Sequence, residues 1–219
     1  MTQAIVPVIA DLQEKAPEHI ERIYKDSYRL LMYIIMPFQA GLVVAIPFIS
    51  KLWIGHYEKT FIIFAELIVI GFTIDMLCSP AYFTNLGTGR LLWNTVGYIV
   101  FGVLNGLLGI FMGTYYGGTG VVIASVLAMI VGGSIILIAY HFENNISLQE
   151  IFPKEMLLLA ISSVIGMLSS LVVYYYFYEK VSFYVLGPIS LLLFLFIVFP
   201  FIWFHPMRTQ ITRWLYSAR

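Results

Sequence analysis

The chain has 219 residues, 60% of them hydrophobic and only 11% charged, with a mean hydropathy of +0.89; a water-soluble domain carries about 25% charged residues, so a soluble globule is excluded. Twelve Lys and Arg balance twelve Asp and Glu, which leaves no bulk attraction for nucleic acid. The single cysteine, Cys78, excludes an internal disulfide and a Cys-based metal cluster.

Near the N-terminus, residues 4–12 (AIVPVIADL) are apolar but less than half the length of about 20 residues that a bilayer-crossing helix needs. The run reads as the tail of a longer helix. A signal peptide would place basic residues ahead of the apolar run, whereas Lys15, Arg22 and Lys25 follow it. From Pro17 onward Ile20, Ile23, Tyr24, Ser27, Tyr28 and Leu31 recur on one helical face, while Glu18 with Arg22 and Glu21 with Lys25 make i,i+4 pairs. Residues 1–29 are therefore expected to hold a truncated helix end and a cytoplasmic amphipathic connector. The connector either lies on the membrane surface or simply orients the span that follows.

Six apolar stretches come next, at residues 30–50, 61–83, 92–112, 118–140, 155–177 and 183–204. Each is long enough to cross a hydrocarbon core about 30 Å thick as a helix, and continuous apolarity favours helices over barrel strands. The predicted fold is all-α: a polytopic membrane bundle of six transmembrane helices. Residues 30–140 supply a four-helix part, and residues 141–219 supply two additional helices with a basic cytoplasmic tail. Lys15, Arg22, Lys25, Arg29, Arg90, Lys154, Arg208, Arg213 and Arg219 fall on one side, against Lys51, Lys59 and Lys180 on the other. That asymmetry places both termini in the cytoplasm of a cell bounded by this membrane. Pro37, Pro47, Pro80, Pro188 and Pro200 fall inside spans, where they interrupt the hydrogen-bond ladder. Gly102 with Gly106, Gly109 with Gly113, and the Ser162, Gly166, Ser170 series have the spacing of small helix-packing faces.

An enzyme would need nucleophile, base or metal ligands converging near one membrane face. His19, His56, His141 and His205 are instead scattered, and no metalloprotease, nucleophile-elbow or phosphate-loop motif occurs. No enzyme activity and no cofactor is therefore expected. Asn145, Ile146 and Ser147 match a glycosylation acceptor, but the orientation puts them in a cytoplasmic connection, so the match is by chance.

Polarity within the spans is more informative. Asp75 lies near the middle of the second stretch, and an acid at a helix centre costs about 2.5 to 3.5 kcal/mol to insert. It reads as a protonatable coupling site or a substrate contact in a wet cavity, or else as a protonated acid bonded to a neighbouring helix. Glu66, nine residues earlier, reads as reaching the interface. Asn94 and Asn105 are eleven residues apart and share a helical face with Tyr98 and Phe101. A face mixing amides with rings suits sugars, and interhelical bonding explains the two amides equally well. Gln39, two residues after Pro37, bonds freed carbonyls or faces a cavity. A phosphate on the cargo would have to find Lys51 or Arg90, because no Lys or Arg lies deep in a span.

The order of several short features resembles a known family. They are Val6-Pro7 at the end of the truncated helix, the stretch with Tyr24, Lys25, Tyr28, Arg29 and Leu30, and Met36, Pro37, Ala40 and Gly41 in the next span. The Gly87-Thr88-Gly89-Arg90 turn follows, then Asn105, Leu107 and Leu108, then the turn at Tyr116, Gly117, Gly118, Thr119 and Gly120. Together they resemble the second half of a polysaccharide or lipid-linked oligosaccharide flippase, O-antigen flippases included, of the multidrug/oligosaccharidyl-lipid/polysaccharide exporter superfamily. The resemblance covers residues 4–140 by motif and the last two stretches by hydropathy. It implies two six-helix bundles around a central cavity in the full transporter, of which this chain supplies the later part. It further implies a lipid-linked saccharide substrate in the cytoplasmic (inner) membrane, with Asp75, Asn94, Asn105 and Gln39 along the pathway and Arg90 or Lys51 as phosphate contacts. The missing N-terminal half or a second subunit would be the partner, and alternating access requires it. A membrane scaffold of a glycan-assembly complex, and a membrane-embedded lipid- or glycan-modifying enzyme, are the alternatives.

Overall fold

The computed structural model describes residues 5–147, 150 and 152–217, and among them every regular element is a helix. In chain order these are α1 (Ile5–Lys15), a one-turn 3₁₀ segment (Pro17–His19), α2 (Ile20–Ile54), α3 (Lys59–Thr88), α4 (Leu92–Glu143), α5 (Lys154–Phe177), α6 (Phe183–Trp203) and α7 (Pro206–Ser217). Five helices, α2 to α6, are long and apolar enough to cross a membrane. The chain is a multi-pass membrane protein.

Hydropathy predicts six crossings, against five continuous helices, and the difference lies in α4. That element covers 52 residues, which as one straight helix would measure about 78 Å, far more than a bilayer core. It is broken at Gly117, whose φ of 60° and ψ of −143° are non-helical and open essentially to glycine alone. Beyond the break the chain returns antiparallel. Gly97 lies against Ile136 and Gly132, Phe101 against Gly132, Asn105 bonds Ser125, and Gly113 faces Val121. The amphipathic connector, expected as a separate piece, is instead continuous with the first span in α2, which is 35 residues long and contains Pro37 and Pro47.

By packing, the chain divides into two compact units that do not follow its order: Met1–Leu31 with Ile70–Ile151, and Met32–Val69 with Phe152–Arg219. In the first unit, α1 buries Ile9 against Gly87 of α3. The Gly89 turn, with φ 74°, lets the Arg90 N–H reach back to the Asn85 carbonyl at 2.9 Å and end α3. At the same unit's polar edge Lys25 pairs with Glu21 and Glu150, and Arg29 donates to the Glu150 carbonyl. Lys25 and the Ser147 hydroxyl together hold the Glu150 carboxyl below the usual carboxylate range.

In the second unit Ala40 and Val44 of α2 pack with Leu159 of α5 and Phe194 and Val198 of α6. The small-residue series of α5 serves this contact: a side chain on Gly166 would meet Val198 at 2.9 Å and Phe194 at 3.2 Å. Gly102, Gly106 and Gly109, by contrast, face open space. Ahead of α3, Glu58 accepts the Thr60 N–H and so caps an exposed helix start.

Candidate functional site

One stripe of α3 carries the chemistry of a cavity inside the first unit. Asp75, Cys78, Ser79 and Tyr82 stand at i, i+3, i+4 and i+7, so a carboxylate, a thiol, a hydroxyl and a phenol share one face. The two limbs of α4 close the hollow with Gly97, Tyr98 and Phe101 on one side and Met129, Gly132, Gly133 and Ile136 on the other; its volume is about 270 Å³. The close approach of the limbs depends on glycine. A Cβ on Gly97 would sit 2.5 Å from Ile136 Cγ1 and 2.8 Å from the Gly132 carbonyl oxygen.

Asp75 is half-buried in this cavity, and no hydrogen bond or ion pair engages its carboxylate among the described residues. Tyr82 and Tyr98 meet edge to face at 5.6 Å. The Ser79 hydroxyl donates to the Met76 carbonyl at 2.7 Å, which leaves its oxygen as an acceptor. The lining thus offers ring faces for stacking, one acid and several hydroxyls, and includes no Lys or Arg. That combination suits a polyhydroxylated or otherwise uncharged polar group better than an anion.

The other pathway candidates do not line this cavity. Asn94 is 5% exposed; its Oδ1 accepts from Asn85 Nδ2 at 3.0 Å and its Nδ2 donates to the Tyr82 carbonyl at 2.9 Å. Asn105 accepts from the Ser125 hydroxyl at 2.8 Å. Both amides bond across from one helical limb to another. Gln39 is buried in α2, within the second unit. Arg90 lines a separate hollow of about 210 Å³ with Glu18, Glu21, Thr84, Thr88, Tyr140 and Asn144. Lys51 lies in the last turn of α2. Glu66 accepts from the Tyr175 hydroxyl at 3.4 Å.

Two polar pairings escape sequence reasoning. Asn85 stands nine residues before Asn94 across a tight turn, and only the turn makes them meet. Tyr24 hydroxyl and His141 Nε2 lie 2.5 Å apart in a buried cluster with the Tyr140 ring; the one visible signal is a histidine ending an apolar run. Compared with known protein families, with curated proteins and with solved structures, the chain finds no match.

Proposed function

We propose that this chain is part of a membrane transporter that flips a polyprenyl-pyrophosphate-linked saccharide across the cytoplasmic membrane for polysaccharide synthesis. The observation that carries the reading is Asp75, an unpaired carboxylate at mid-helix in a ring-lined hollow. A structural acid would be bonded to its neighbours, because an unpaired one repays none of its insertion cost. Tyr82, Phe83, Tyr98 and Phe101 offer the stacking surfaces that sugar rings use, and Asp75 with the tyrosine hydroxyls offers hydrogen bonds. Both termini face the cytoplasm in this reading, and a second bundle is needed for the chain to rock against.

The test is flipping of a fluorescent lipid-linked saccharide in proteoliposomes holding the complete transporter. Asp75→Asn is expected to lower the rate at least about tenfold, the worth of one charge-assisted hydrogen bond, with membrane abundance unchanged. An unchanged rate removes Asp75 from the mechanism. Absence of flipping by the wild type, together with recovery of glycosyltransferases at fixed stoichiometry in mild detergent, would replace transport by the scaffold reading.

A further inference from the structure

Where α6 gives way to α7, one buried polar atom lacks a partner. His205 is 5% exposed, its Nδ1 accepts the Met207 backbone N–H at 3.1 Å, and its Nε2 has no hydrogen-bond partner among the described residues. An imidazole that accepts at Nδ1 carries its proton at Nε2, so the orphan is a donor. Native interiors rarely leave a donor without an acceptor, and an acceptor from outside the chain resolves the deficit.

There is room for one. His205 lines a hollow of about 280 Å³ together with Glu155, Leu158, Pro200, Phe201 and Phe204. Leu158 and Phe204 are 52% and 83% exposed, so the apolar wall runs on into the outer surface of α5 and α6. Beside it the Arg208 guanidinium lies 3.6 Å over the Trp203 ring, an aromatic and basic pair of the kind that sits at a membrane surface. The hollow therefore combines one N–H donor, one carboxylate and apolar walls that open toward lipid.

We propose that this hollow binds a phospholipid with a primary-amine headgroup. A phosphate or ester oxygen accepts from His205 Nε2–H, the ammonium donates to Glu155, and the acyl chains lie along Leu158, Phe201 and Phe204. A quaternary amine cannot donate to Glu155, and an anionic headgroup brings like charge to it. The site stands apart from the Asp75 cavity and does not depend on the transport reading.

Native mass spectrometry of delipidated protein with phosphatidylethanolamine, phosphatidylcholine or phosphatidylglycerol of matched chains tests this. The wild type should retain phosphatidylethanolamine about tenfold over the other two, the size of one charge-assisted hydrogen bond. Glu155→Gln, an exposed and benign change, should reduce that retention to the phosphatidylcholine level; His205→Phe should weaken all three lipids. Equal retention of the three by the wild type, or an undiminished preference in Glu155→Gln, overturns the proposal. Displacement by soluble phosphoethanolamine as effective as by the lipid would overturn the membrane source.

Discussion

His205 also links stability to pH. Burial pushes its pKa below the ordinary histidine value, with Glu155 pulling the other way; among the described residues Tyr33, whose ring lies 5.0 Å off, also faces it, and Arg208 lies one helical turn on, over the Trp203 ring. In the unfolded chain the imidazole takes up its proton near pH 6.5, while the folded one stays neutral to lower pH. The unfolded state then binds more protons, so the contribution is complete above about pH 6.5 and is lost as the pH falls through the folded value. Thermal unfolding in detergent should show a Tm that drops between pH 7 and 5 in the wild type and drops less in His205→Phe. At the Asn85–Asn94 pair the effect is hydrogen bonding rather than protonation. Asn94→Ala leaves the buried Asn85 amide without its acceptor and is expected to cost about 0.6 to 1.7 kcal/mol, read from denaturant unfolding in mixed micelles. Asp75 and Asn94 both stood out as polar letters in apolar runs. The sequence marked their cost and not their partners, because the partner of Asn94 exists only once Gly89 turns the chain.

Helix-level packing separates glycines that look alike in sequence. Gly97→Ala would press on Ile136 and the Gly132 carbonyl and should cost about 1 to 3 kcal/mol, as overpacking does. Gly102→Ala, five residues on and facing nothing within 4 Å, should change stability by no more than about 0.5 kcal/mol. Side-by-side unfolding of the two variants checks the antiparallel limb contact, and equal losses would refute it. The four-residue spacing of Gly102 with Gly106 and of Gly109 with Gly113 identified a small-residue face without identifying what it meets. In a helix apolar on every side, no polar stripe tells the inward face from the outward one. The series in α5 was legible for the opposite reason, since Ser162, Gly166 and Ser170 are all buried and Gly166 admits Phe194 and Val198.

Across the whole molecule, the helical membrane architecture was legible because length and apolarity alone decide it. The assembly of residues 32–69 with the last two long helices was not, since hydropathy finds segments and is silent about which of them pair. The charge asymmetry makes a separate claim about sidedness. In a Cys78→Ser background, Ser147→Cys and Thr209→Cys should react with an impermeant maleimide only from the cytoplasmic side, and Glu58→Cys and Glu179→Cys only from the other. Labelling of positions 147 and 179 from the same side would refute the even arrangement of crossings. The hinge at Gly117 carries a consequence for how the chain is made. One non-helical residue between two long apolar limbs leaves no slack for the first to settle in lipid while the second is still being synthesised. The two limbs are therefore expected to enter the bilayer together, as a hairpin, rather than one after the other.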